Sequence, residues 1–249
     1  MLLIALFFLG LLLGSFLNAW LWRAHAGRSV LRGRSLCPHC LSQLAWFDNI
    51  PLVSYVVLGA RCRTCRARIS ASYPCIELWM ALVSVFIGWV HGSDALLIAR
   101  DITTVFFLTF IFVFDIRHQL IHDATTLVPA AILFVSALLF EWQTLLSMLI
   151  GVVIAAGFFA LQHFFSHGRW IGAGDMRLGV LMGVILGWPL TLVALFVAYV
   201  GGAAIFLPFI VSRRVHTKTA VPFGALLTAA TFVALFWGKE LLSVYLGLL

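Results

Sequence analysis

Two aspartates and four cysteines carry most of the chemistry that residue type and spacing can suggest in this chain. Asp115 closes the apolar run 106–114, and Asp175 follows Gly172-Ala173-Gly174 where another apolar run begins. Only nine acidic residues occur in 249, so a carboxylate at membrane depth is a costly exception that usually faces a bundle interior or a water-filled cavity. Two such carboxylates facing one another cannot both ionise easily. One keeps its proton while the other activates water, the arrangement suited to hydrolysis. Gly172 and Gly174 remove side chains beside Asp175 and allow close backbone approach. Two plainer readings compete: an ion pair of each Asp with Arg117 or Arg177, or helix capping, for which Asp175 is well placed.

The cysteines form Cys37-Pro38-His39-Cys40 and Cys62-Arg63-Thr64-Cys65, separated by 21 residues. Paired knuckles at this spacing predict a structural, tetrahedral zinc site, closed by four thiolates and without chemistry of its own. Two disulfides or a redox pair are the competing readings. A cytoplasmic location, where thiols stay reduced, disfavours the disulfides, and eight surrounding arginines favour the thiolate form. The fifth, Cys75, reads as a small buried apolar residue.

These groups must be positioned by helices. The chain is 63% hydrophobic and 10% charged, with mean hydropathy +1.10, whereas soluble domains carry about 25% charged residues. Apolar stretches long enough to span ~30 Å of hydrocarbon recur along it. Leu2 to Trp22 lacks the basic start and cleavage site of a signal peptide and is expected to remain as the first span. Further spans are expected near 76–90, 95–114, 125–140, 142–165, 178–186 and 190–211, with Gly187-Trp188-Pro189 as the break between the last two, and near 220–238. The expected fold is an all-α polytopic membrane bundle of about eight helices with a cytoplasmic zinc-binding loop domain. Its divisions are 1–22 (first helix), 23–73 (loop domain) and 74–249 (bundle). No internal repeat of sequence is evident.

Arginines 23, 28, 32, 34, 61, 63, 66 and 68 fall between the first two spans, and Lys- and Arg-rich short loops stay in the cytoplasm. Eight crossings put Arg117, Arg169, Arg177, Arg213, Arg214 and Lys218 on that side as well, leaving Arg100 and Lys239 near the other. Both termini are therefore expected outside. The net charge of +7 is positive-inside signal, not a nucleic-acid surface.

In order along the chain, Gly14-Ser15-Phe16-Leu17-Asn18, Cys37 to Cys40, Asp48-Asn49-Ile50-Pro51-Leu52-Val53-Ser54-Tyr55, Ile69-Ser70 with Tyr73-Pro74 and Glu77-Leu78, Asp115 to Asp123, Gly172 to Asp175, and Val221-Pro222-Phe223-Gly224 resemble the motifs of the type IV prepilin peptidases. The resemblance runs nearly end to end. It implies a membrane aspartic peptidase of the GxGD type in the bacterial inner membrane, with Asp115 and Asp175 as the catalytic pair. The implied substrate is a type IV prepilin or pseudopilin of pilus or type II secretion systems, cut at the cytoplasmic face just before a hydrophobic helix. It also implies N-methylation of the new N-terminus with S-adenosylmethionine. The chain departs from the family pattern in three places. Ile-Pro-Asp becomes Ile121-His122-Asp123, the usual Lys becomes Arg177, and Ala60-Arg61 stand where Gly-Lys is associated with methyl transfer.

Glu77 reads equally as a methyl-transfer or substrate-binding group and as a paired interfacial carboxylate. Asn18 is expected to hydrogen-bond between helices, His122 to be a surface histidine, and Asp123 to assist the site or to sit in a solvated turn. Phe and Trp are membrane filling and interface anchors. A transporter using the aspartates as a proton relay is the competing class, and midplane carboxylates would favour it. A catalytically idle scaffold is a third. The sequence is silent on oligomeric state.

Overall fold

The computed structural model describes residues 1–30, 32–211 and 222–247, with only the helical backbone for 208–211. Arg213, Arg214, Lys218, Ala220 and Val221, used above for orientation and for the last span, lie outside the described residues.

Apolar runs with few breakers make helices, and the breaks fall where the breakers are. The helices are α1 (Leu2–His25), a one-turn α2 (Val53–Val57), α3 (Ser72–His91), α4 (Ala95–His118), α5 (Asp123–Phe140), α6 (Leu145–Ser166), α7 (Ala173–Leu186), α8 (Leu190–Val211) and α9 (Phe223–Gly247). Eight of them correspond to the eight predicted runs. Seven are long and apolar enough to cross a membrane. The remaining one, α7, has 14 residues and is roughly 21 Å long at 1.5 Å per residue, short of the hydrocarbon thickness. Gly172 starts it, and Gly187 at φ +60°, followed by Trp188-Pro189, ends it. No β-strand longer than an isolated bridge occurs among the described residues.

The chain divides into two compact units, residues 1–102 and 103–249. In the first, α1 packs on α3. Gly14 lies so close to α3 that a Cβ there would sit 2.6 Å from the Glu77 Cα. Asn18 joins the same two helices, its Nδ2 donating to the Tyr73 carbonyl at 3.0 Å. Arg23 does more than mark the cytoplasmic side: its buried guanidinium donates to the Gly33 carbonyl at 2.8 Å and ties the following loop to the helix end.

In the second unit α7 is the central helix, with Leu178, Leu181 and Met182 fully buried. Small residues at four-residue spacing let it press against α6. A Cβ on Gly179 would lie 2.9 Å from the Ala156 nitrogen, and one on Gly151 would lie 2.8 Å from the Gly183 carbonyl oxygen. In lipid, helices gain little from the hydrophobic effect, so such close van der Waals packing is a principal force of association. It holds the helix that carries Asp175.

Candidate active site

Asp115 sits in the last turn of α4, inside the helix and 5% exposed. Its Oδ2 accepts a hydrogen bond from the Ala225 amide at 2.8 Å, in the first turn of α9. Free amides and the positive end of the helix dipole stabilise negative charge at such a terminus. Gly224 makes the approach possible, because a Cβ there would lie 3.0 Å from the same Oδ2.

Asp175 occupies the third position of α7, and its Oδ2 accepts from the Gly172 amide at 3.2 Å. This is the returning half of a capping box. The capping reading is therefore present for Asp175, from inside the helix instead of from the N-cap position. Arginine pairing is not what holds either group among the described residues. Arg177 instead donates to Asp123, the first residue of α5, in a partly exposed ion pair.

Ile121 joins the two halves of this constellation. A Cβ on Gly174 would lie 2.9 Å from the Ile121 Cβ, and one on Gly224 would lie 2.8 Å from its Cδ1. One side chain thus wedges between the N-termini of α7 and α9 and leaves a carboxylate at each. Gly172 has a different role from the one expected: a Cβ there would meet nothing nearer than 3.7 Å. It contributes an amide donor, while Gly174 makes the room. His122 is exposed, as expected, and caps α5 with its ring 4.8 Å from that of Phe114. Asp123 is the first residue of α5, where a loop position was expected, and its exposed carboxylate pairs with Arg177.

The cysteines also converge. The four Sγ atoms lie within 4.8 Å of one another, with Cys37 and Cys65 at 3.9 Å. Tetrahedral zinc with Zn–S of about 2.3 Å needs sulfurs roughly 3.8 Å apart, so the donor set fits. The two knuckles are the same turn built twice. Cys37 and Cys62 each receive an amide bond four residues on, from Leu41 and Arg66, and each donates its own amide five residues on, to Ser42 and Ala67. Leu41 and Arg66 both take positive φ, and bridges 36–43 and 61–68 close the turns. The Ser42 side chain and amide bring the Cys40 thiol down to about 6, and the Cys65 backbone lowers Cys62. Cys65, against the pull of the Ala67 amide, is held up at about 11 by desolvation and its sulfur neighbours. Cys40 and Cys62 are thereby favoured as thiolates, the form that binds metal. Cys75 is exposed, contrary to expectation, because the packed face of α3 runs through Ile76, Met80, Ser84 and Ile87 and leaves position 75 outside it.

Glu77 is engaged within the first unit. It is 8% exposed and accepts from the Leu52 amide at 2.8 Å. It lines a cavity of about 280 Å³ together with Ser15, Asn18, Tyr55, Arg63 and Tyr73. Sequence reasoning passed over Asp101. This carboxylate is 1% exposed, bonded to His91 and Arg100 at 2.6 Å each. A charge inside the apolar run 95–114 was the signal that could have found it.

Residues 8–91 match the bacterial peptidase A24 N-terminal domain, and residues 102–207 match the type IV leader peptidase family. The chain is 34% identical over 227 residues to a prepilin leader peptidase/N-methyltransferase of Aeromonas hydrophila, covering 86% of this chain and 74% of that one. It is 28% identical over 267 residues to the protein of the same name in Pseudomonas aeruginosa, covering 96% and 91%. The corresponding figures for Legionella pneumophila are 28% over 221 residues, 86% and 76%. No solved structure matches.

Proposed function

The chain belongs to the type IV leader peptidase family, and on that premise we propose that it removes the leader peptide of type IV prepilins or pseudopilins, with Asp115 and Asp175 as its catalytic pair. The observation that carries the assignment is the pair itself: two carboxylates at adjoining helix N-termini, wedged by Ile121 and without arginine partners among the described residues. One carboxylate takes a proton from water as its oxygen adds to the scissile carbonyl carbon. The other, protonated, donates to the carbonyl oxygen and stabilises the developing charge. Collapse of the tetrahedral intermediate breaks the C–N bond, the nitrogen leaves with a proton, and the dyad regains its shared proton. A proton relay needs a path on both sides of the carboxylates. Here both carboxylates lie at helix ends, which suits hydrolysis beside water better than transport.

The protein is an integral protein of the bacterial inner membrane. We place the arginine-rich loop in the cytoplasm, both termini outside, and divide the chain functionally into 1–22, 23–73 and 74–249. The Cys37, Cys40, Cys62 and Cys65 cluster would hold one structural zinc. The Glu77 cavity favours a second reading, methylation of the newly freed N-terminus. Bound S-adenosylmethionine would supply the methyl group. Glu77 would offer its carboxylate to the cationic donor or to the substrate amine, with Asn18 and the tyrosines completing the wall.

The test is cleavage of a prepilin in liposomes by wild type, Asp115→Asn and Asp175→Asn, with product mass recorded. Loss of at least about 10³-fold in both variants, with folding retained, is the expected result. Normal cleavage by either variant would remove the two-aspartate mechanism. A methyl-sized mass gain that requires S-adenosylmethionine and disappears in Glu77→Gln would establish the second activity.

A further inference from the structure

The peptide group that supports Asp175 is itself held at its other end. The Gly172 amide, which donates to Asp175 Oδ2 at 3.2 Å, belongs to the same peptide unit as the Ile171 carbonyl. That carbonyl oxygen lies 2.8 Å from Nδ1 of His163, in the last turn of α6. A carbonyl oxygen only accepts, so the ring donates and Nδ1 carries the proton. A trans peptide unit is planar, with its C=O and N–H pointing in opposite directions. Fixing the carbonyl therefore fixes the direction in which the amide points. A hydrogen bond to the carbonyl also polarises the unit and strengthens the amide as a donor.

The surroundings hold the ring in place for this. Residues 167–171 fold back over the end of α6. The Gly168 amide donates to the His163 carbonyl at 2.8 Å, and the Trp170 amide donates to Oγ of the buried Ser166 at 3.2 Å. Gly168, at φ +74°, passes so near the imidazole that a Cβ there would lie 3.2 Å from its Cε1. The Ile171 side chain is buried in the core of the second unit. A basic side chain in the last turn of a helix commonly bonds that helix's own terminal carbonyls. His163 instead takes a carbonyl beyond the helix, and it is the back of the peptide that faces Asp175.

We infer that His163 is a positioning residue for Asp175: through the 171–172 peptide it aims the Gly172 amide at the carboxylate and fixes the start of α7. The inference rests on the peptidase reading, with Asp175 as one of the pair. His163 acts through the backbone and neither gives nor takes a proton during the reaction. The property it supplies is a donor at the Nδ1 position. An asparagine amide nitrogen occupies about that position, whereas the longer glutamine places its nitrogen nearer to that of Nε2, so the two substitutions separate the donor from mere polarity.

Prepilin cleavage in liposomes by His163→Leu, His163→Gln and His163→Asn tests this. In the Leu and Gln variants kcat should fall about tenfold or more while KM stays within about twofold, because a misdirected Asp175 costs chemistry and not binding. His163→Asn should keep kcat within about threefold of wild type. Should His163→Leu fail to fold, the comparison of Asn with Gln still decides. Met148→Ala opens a cavity at a fully buried position of the same helix, far from the loop. It should lower the thermal unfolding temperature and leave kcat within about twofold. Equal kcat in the Asn and Gln variants, a loss confined to KM, or a kcat loss in Met148→Ala as large as that in His163→Gln would overturn the positioning role. Failure of the dyad is distinct, since it would show as cleavage surviving in Asp115→Asn or Asp175→Asn.

Discussion

The cysteine cluster and the aspartate pair are assembled in opposite ways. The cluster takes its ligands from two short turns of identical construction, each closed by its own backbone bonds within seven residues. The pair takes one carboxylate from the end of α4 and another from the start of α7, sixty residues apart. Their supporting groups come from Ile121, between α4 and α5, and from Gly224 and Ala225 on α9. A site made of local turns can be completed by an ion, which contributes folding energy directly. A site made of distant helix ends depends on helix packing being correct to a few tenths of an ångström. The first should fail by losing its metal, the second by losing its geometry.

Substitutions can break this contrast at graded strength. After the aspartates themselves, the largest effect is expected from the glycines that make room. Gly224→Val would push against both Ile121 and Asp115, and Gly174→Val against Ile121; each should reduce prepilin cleavage by about 10²-fold, the scale for a displacement of about an ångström. Gly172→Ala is the control. Its Cβ has space, its amide remains, and cleavage should stay within about threefold, with the residual cost that of losing glycine's entry into the helix. If Gly172→Ala proved as damaging as Gly224→Val, steric room would not be the operative property.

Removing the metal should produce the opposite phenotype. Cys37→Ser, or chelation under reducing conditions, should abolish metal content and expose the 23–73 loop to protease. Cleavage by Asp115 and Asp175 should fall by less than about tenfold, because the closed site does no chemistry. Equal loss of metal and cleavage would show the two regions to be functionally inseparable. A small effect is also expected from Asp123→Asn. The Arg177 partner is partly exposed and such pairs contribute about 0–1 kcal/mol. Activity should change by no more than about fivefold, and the difference should shrink as salt rises.

The helical class, the order of apolar runs and the convergence of the four cysteines were legible from residue type and spacing. Composition sets the solvent, spacing sets a knuckle, and a carboxylate at the end of an apolar run stands out because its burial is expensive. The supporting groups were not legible. Nothing in Val221-Pro222-Phe223-Gly224 states that the following amide will meet Asp115, and Asp-x-Arg spacing gives no hint that Arg177 will turn to Asp123. Residues two apart on a helix point to different sides, so the arginine nearest in sequence is not the one nearest in space. Helix ends were misplaced by the same limitation. Hydropathy ended the third run at Phe114, whereas backbone bonding carries α4 on to His118 and takes Asp115 into the helix.

By itself, then, the sequence determined that this is a helical membrane protein with a four-thiolate loop and two unusual carboxylates, because each of these follows from local composition and short spacing. Only the tertiary structure decided which amide faces which carboxylate, and which glycine makes room and which merely donates. Those outcomes depend on contacts between helices far apart in the chain, set by packing that no local pattern encodes.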